Sequence, residues 1–246
     1  MGRHRIVREE DDFQEYARAA DFGAFVPVVN RPDLLDAVIF ATSALHADFT
    51  IIDNSPDRWV SEQPKPVKVF RPPVPFSYTQ TMNWELEETI RRGKPFMVHM
   101  HNDAIIPEGA CEKLLEFARK TAVDNPRWAV IYTLYDVLCV YNPKVYEDIG
   151  GYDTNFPAYF SDNDYFRRME LAGWKRFNSG IEVGHVGSQT INADPYLRHV
   201  NGVTFPLYQQ YYRAKWGGDP GEESFVHPFG VLPKEWKLAG NALTRN

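Results

Sequence analysis

Cysteine is scarce: Cys111 and Cys139 are the only two in 246 residues. Two cannot form a disulfide framework, so a reducing, cytoplasmic setting is expected. Long hydrophobic runs are also missing. Apolar stretches such as 37–41 and 129–134 fall far short of the roughly 20 residues that a spanning helix requires, so no membrane span is expected. The opening MGRHRIVREEDD carries bases with no apolar stretch behind them, unlike a secretory signal. There is no basic excess, because Lys+Arg is 27 against Asp+Glu 33, a net charge of −6. A nucleic-acid backbone is best met by a basic face, so general nucleic-acid binding is disfavoured. No internal repeat or low-complexity tract is visible. What remains is a chain that is 43% hydrophobic, enough for a globular core, and long enough for one large domain or a domain with an appendage.

The order of candidate elements is informative. Residues 9–20 read as a polar leading helix. The run AFVPVV (24–29) reads as a strand, and Pro32 then opens a helix with Leu34, Val38, Ala41 and Leu45 at helical spacing. Phe49 to Ile52 reads as a second strand, ending in the turn cluster Asp53-Asn54-Ser55-Pro56. Strand, helix, strand is the pattern of a parallel sheet with crossover helices. A brief strand is expected over 67–70, and a helix over 78–92 behind a Ser77/Gln80 capping box. A strand over 96–100 follows, then a helix opened by Pro107. Strand composition over 129–141 breaks around Tyr135-Asp136, and a short helix over 143–149 is stopped by Gly150-Gly151. Ser161 and Asp164 suggest another capping box before a helix over 165–172, and a last strand is expected over 181–186. From Asn192 onward the periodicity fades into an aromatic-, Gly- and Pro-rich tail.

Polar residues recur at the carboxyl ends of these strands, where open α/β sheets bind ligands. Asn30 and Arg31 follow the first, Asp53 the second and Asp103 the strand over 96–100; Asp162 and Asp164 open a helix, and His185 lies at the end of the last strand. Carboxylates with a histidine on one rim suit a hard or borderline divalent cation. Each also has a plainer explanation. Asp53 and Asp103 fit turn chemistry, Asp162 and Asp164 fit helix capping, His185 fits a structural histidine, and the aromatic cluster Tyr208, Tyr211, Tyr212 and Trp216 fits simple packing as well as a sugar platform.

Five pieces in order resemble the inverting family 2 glycosyltransferases of GT-A fold: FVPVVNRPDLLDAV, TIIDNSPD, MVHMHNDAIIPEGA, VYEDIGGYDTNFPAYFSDNDYFRRMELAGW and IEVGHVGSQT. The resemblance implies an α/β fold, with a mixed, mainly parallel sheet flanked by helices and an irregular C-terminal extension. It implies a catalytic domain over 1–205, with a nucleotide-sugar half at about 22–105 and an acceptor half at about 106–205, and a candidate lid over 206–246. Nucleotide contacts are implied for Pro27, Val28, Asn30, Arg31, Asp53, Asn83, His101 and Asn102. Asp103 and His185 would hold Mn2+ or Mg2+, which neutralises a departing nucleoside diphosphate. Asp162 would be the general base toward the acceptor hydroxyl, with Asp164 in reserve. Arg213, Lys215 and Trp216 are candidate diphosphate or lid contacts.

Two departures from the family pattern stand out. Its Asp-x-Asp motif reads His101-Asn102-Asp103, and its Glu-Asp motif reads Ser161-Asp162. They leave open a non-catalytic module that binds a glycan or nucleotide. A nucleotidyltransferase is disfavoured, since VPVVNRPDLL has no glycine for a phosphate loop. The expected donor is a nucleotide sugar, with uridine favoured by family frequency. The acceptor remains open among a glycan, a protein, a lipid carrier and a hydroxylated nucleic-acid base. For the last of these, Arg167, Arg168, Lys175 and Arg176 offer a candidate basic stripe.

Overall fold

The computed structural model describes residues 20–231 apart from 57–59, 61, 62, 64, 65 and 188. The leading helix expected over 9–20 lies outside the described residues except for its last position. Strand β1 (Phe22–Val28) leads through a 3-10 turn, Pro32–Leu34, into α1 (Leu35–Ala41). Next come β2 (Phe49–Asp53), β3 (Lys68–Phe70) and α2 (Tyr78–Arg91). The Ser77 capping box is formed: its hydroxyl accepts from Gln80 N, and Gln80 Oε1 accepts from Ser77 N. The chain continues through β4 (Phe96–Met100), β5 (Ala104–Ile105), α3 (Ala110–Asp124), β6 (Trp128–Tyr132), β7 (Leu138–Tyr141) and α4 (Pro143–Ile149). Then follow α5 (Ser161–Leu171), β8 (Lys175–Asn178), β9 (Gly184–His185), α6 (Gln189–Ala193) and α7 (Pro195–Trp216).

Seven strands form one sheet in the order β3-β2-β1-β4-β7-β6-β8. It is mainly parallel, with β7 antiparallel to both its neighbours, β4 and β6. Every residue of β2 and β4 is buried, as expected of strands covered on both faces. Alternation along β1 divides the core: Ala24, Val26 and Val28 join one apolar layer, while Phe25 joins Met82, Leu86 and Met97 in the other. Apart from the large sheet, β5 pairs antiparallel with β9, setting Ala104 opposite His185. That short ladder folds the chain after β9 back onto the end of β4.

Several expectations change. The helix opened by Pro107 begins only at Ala110, behind Gly109 at φ 74°. Ser161 and Asp164 form no capping box: Ser161 is the first helical residue, behind Phe160 in the left-handed region, and its hydroxyl donates to Ala158 O. The strand expected over 181–186 shrinks to β9, and the strand joining the main sheet is the charged edge segment β8. Lys175, Arg176 and Asn178 are exposed there, so an edge position replaces the apolar signature of an inner strand. The fading tail contains the 22-residue α7, which runs through the 205/206 division, and beyond Trp216 the described chain is irregular except for one 3-10 turn, Pro228–Gly230. Gly202 and Pro206 interrupt the α7 pattern, and its buried residues, Tyr212, Lys215 and Trp216, cluster in the last turn. No helix among the described residues is long and apolar enough to cross a membrane.

Candidate metal and transfer site

A cleft of about 600 Å³ opens at the carboxyl ends of β1 and β4. Pro27, Asn54 and Thr81 line one part, and His101, Asn102, Asp103 and His185 another. Tyr78, Asp136 and Asp162 also line it. The β5–β9 pairing brings the chain just after β4 against His185. His185 Nε2 lies 3.0 Å from Asp103 Oδ1, and His101 Nδ1 lies 3.5 Å from His185 Nε2. One ligand atom from each of His101, Asp103 and His185 falls within 4.8 Å of the others. Two imidazoles and a carboxylate this close fit a divalent first-row metal.

A second tier supports this triad. His101 Nε2 faces Asp136 Oδ2 at 3.7 Å, longer than a hydrogen bond, and Tyr78 donates its hydroxyl to the same oxygen at 2.8 Å. A carboxylate behind a metal-binding imidazole orients the ring and leaves its other nitrogen to the ion. Burial by itself would lower the His101 pKa, but the Asp136 carboxylate outweighs it and the pKa is raised. Burial likewise opposes ionisation of Asp136, yet the neighbouring His101 and Tyr78 hold its carboxyl well below the usual range. Beneath them, His99 Nδ1 meets Glu85 Oε2 at 2.8 Å with both side chains wholly buried, and the His99 ring stands edge-on to His101 with centroids 5.6 Å apart.

Asp162 lies at the first turn of α5, across the same cleft. Burial, with a smaller push from Asp136, raises its carboxyl to about 6. Asp164 is committed elsewhere. Its Oδ1 accepts from Trp216 Nε1 at 2.9 Å and contacts Lys215 Nζ at 2.6 Å, while Oδ2 accepts from Arg168 Nε at 3.0 Å. Among the described residues, three of the four non-glycine residues with positive φ border the site: Asn30 follows β1, Tyr135 precedes Asp136, and Phe160 precedes α5. Such strain concentrates where surrounding structure imposes a geometry.

The remaining sequence candidates divide. Pro27 and Asn102 line the cleft, and the buried Asn102 Nδ2 has no protein partner. Val28 is buried within β1, opposite Asp53. Asn30 N donates to Ser55 Oγ at 2.9 Å, and Arg31 forms a two-pronged pair with Asp33 at 2.8 and 2.7 Å. Asp53 accepts from the backbone N–H of Ser55 and Val60, the turn role weighed for it. Asn83 does not line the cleft; it brackets Tyr152, accepting from its N–H at 2.6 Å and donating to its carbonyl at 3.0 Å. A Cβ on Gly151 would lie 2.4 Å from Asn83 Oδ1, so Gly151 serves close packing here, while Gly150 supplies the positive φ of 76° that ends α4. Lys215 and Trp216 are buried against Asp153 and Asp164, and Arg213 pairs with Asp219, so these three anchor α7. The basic stripe is also largely spent: Arg167 donates to Phe225 O, Arg168 to Ile149 O, and Arg176 stacks on Phe166. Asp136 and Tyr78 were missed by sequence reasoning. An acid in the turn of a strand-turn-strand segment was the available signal for the first.

The sequence matches no protein-family model and no curated protein. The fold, however, is that of GT-A nucleotide-sugar glycosyltransferases. The mannosyltransferase PcManGT from Pyrobaculum calidifontis, solved with GDP-Man and Mn2+, superposes with a TM-score of 0.50 at 9% identity over 68% of this chain. The match takes in 60% of the mannosyltransferase chain. Glucosyl-3-phosphoglycerate synthase from Mycobacterium tuberculosis, solved with Mn2+, UDP-Glc and glycerol 3-phosphate, gives 0.50 at 12% identity, covering 83% of this chain and 86% of its own.

Proposed function

We propose that this chain is a metal-dependent glycosyltransferase that moves a sugar from a nucleoside diphosphate sugar, with UDP favoured, to an acceptor hydroxyl with inversion. The observation that carries the reading is the meeting of His101, Asp103 and His185 in one cleft with a carboxylate poised near neutrality. Mn2+ fits this donor set better than Mg2+, because two of the three donors are imidazoles rather than oxygens. When bound, the cation supplies positive charge to a departing diphosphate. Asn102, with an unpartnered buried amide, donates toward the nucleotide beside it. Pro27, Asn54 and Thr81 border the remainder of the donor space. Asp162 takes the acceptor proton: at about 6, its pKa leaves it ionised at neutral pH yet basic enough to accept. Attack from its side of the sugar, opposite the leaving diphosphate, inverts the anomeric centre. GT-A proteins solved with Mn2+ and GDP-Man or UDP-Glc lend the reading support.

A thermal-shift panel of nucleoside diphosphates and their sugars, with and without Mn2+, tests it. A ligand at a hundredfold excess over its Kd stabilises the native state by about 2.7 kcal/mol. The expected result is a Mn2+-dependent rise in Tm with UDP or a UDP-sugar. A panel without any metal-dependent response contradicts the assignment.

A further inference from the structure

Resting on the reading of the cleft as a transfer site, we infer that its acceptor is an uncharged sugar ring, seated on Tyr135 and Tyr159 beside Asp162. The acceptor end of the cleft is lined by Leu134, Tyr135, Ala158, Tyr159, Ser161 and Asp162. Tyr135 is 76% exposed at the mouth of the cleft it lines, and its backbone is held at φ 47°. Two contacts fix that conformation: Cys139 Sγ donates to the Tyr135 carbonyl at 3.1 Å, and Val137 N closes the turn onto Leu134 O at 3.0 Å. The fold therefore imposes a disfavoured backbone that leaves the ring in solvent, where packing gains nothing from it. Tyr159 is backed by α7, with the Phe205 ring edge-on at 5.2 Å. A flat apolar face beside hydrogen-bonding carboxylates matches a pyranose, whose C–H face is apolar and whose rim carries hydroxyls.

Charge argues in the same direction. Among the described residues lining the cleft there is no Lys or Arg, while Asp103, Asp136 and Asp162 all line it. Arg31, which reaches the cleft through Gln189 O, is paired with Asp33, and Arg176, whose charge reaches Asp162, stacks on Phe166. A phosphorylated or carboxylated acceptor seated beside Asp162 would therefore face the Asp162 and Asp136 carboxylates with no Lys or Arg among the described lining residues to hold it, and like charges at short range repel. An uncharged ring meets no such penalty.

The test is titration calorimetry on the full chain saturated with Mn2+ and UDP. The probes are the methyl glycosides of glucose, mannose, galactose and N-acetylglucosamine, with glycerol 3-phosphate as the anionic counterpart. At least one glycoside is expected to bind and glycerol 3-phosphate to give no heat. Tyr135→Asn, which tolerates the positive φ, should weaken the glycoside about tenfold, and Tyr135→Phe should retain it. Preferred binding of glycerol 3-phosphate overturns the inference. So does silence from every glycoside while Mn2+ and UDP bind, or a Tyr135→Asn variant with unchanged glycoside affinity. Failure of Mn2+ and UDP to bind at all refutes the reading of the site itself, and the acceptor inference with it.

Discussion

Replacing Asp162 with Asn should abolish transfer and at the same time stabilise the metal-free fold. The carboxyl is raised from an ordinary 3.8 to about 6 by burial and by Asp136. A folded-state pKa above the unfolded one means that the native state holds the proton more tightly. The Asp162 contribution therefore favours folding most at low pH and is lost as pH rises from about 4 through about 6. A shift of roughly two units corresponds to about 3 kcal/mol against the charged form, and partial exposure of the residue reduces this to roughly 1–2 kcal/mol. Asn carries no charge to bury, so denaturant unfolding at pH 7 in EDTA should show Asp162→Asn more stable than wild type by that amount. The gain should vanish near pH 4. In the same range the transfer rate should fall on the acid side, as the carboxyl takes up its proton. An acid limb centred near 4, or an Asp162→Asn variant that is less stable at pH 7, would refute the argument.

Other perturbations separate structural from ligand-binding groups. Lys215→Met leaves Asp153 and Asp164 without their shared cation in a buried setting. Chemical denaturation should register a loss of about 3–5 kcal/mol, and an unchanged midpoint would contradict the anchoring role. Asp53→Ala removes the acceptor of two buried backbone N–H groups and should cost about 1–3 kcal/mol, with UDP affinity by calorimetry unchanged. A selective loss of UDP affinity would instead restore Asp53 to the nucleotide site. Asp136→Asn removes the carboxylate behind His101 and should weaken Mn2+ binding by about 10–100-fold, measured by competition with a chelating dye; unaltered affinity would count against its orienting role.

Much of the site was legible because strand ends announce themselves. The apolar runs of β1, β2 and β4 each stop at a polar residue, and the Ser77/Gln80 pair marks the start of α2. The split of the segment over 129–141 into β6 and β7 was readable from its polar turn. What was hidden is set by tertiary pairing. The contact between His101 and His185 spans 84 positions and depends on β5, a two-residue strand too short to carry a pattern. His101 reads locally as a broken acidic motif; only its distance to His185 makes it a third donor. Edge strand β8 lacked apolar alternation because its solvent side does not need it. The tail was opaque for a related reason: α7 buries only its last turn, through an ion pair and a tryptophan rather than a continuous apolar stripe.

The central claim is that His101, Asp103 and His185 share one ion. Electron paramagnetic resonance of Mn2+ added to the metal-free chain reads this without any substrate, because bound Mn2+ loses its sharp six-line solution signal. Wild type is expected to quench that signal at one equivalent, with His101→Ala, Asp103→Ala and His185→Ala each leaving most of it free. Full quenching by all three variants would contradict the account.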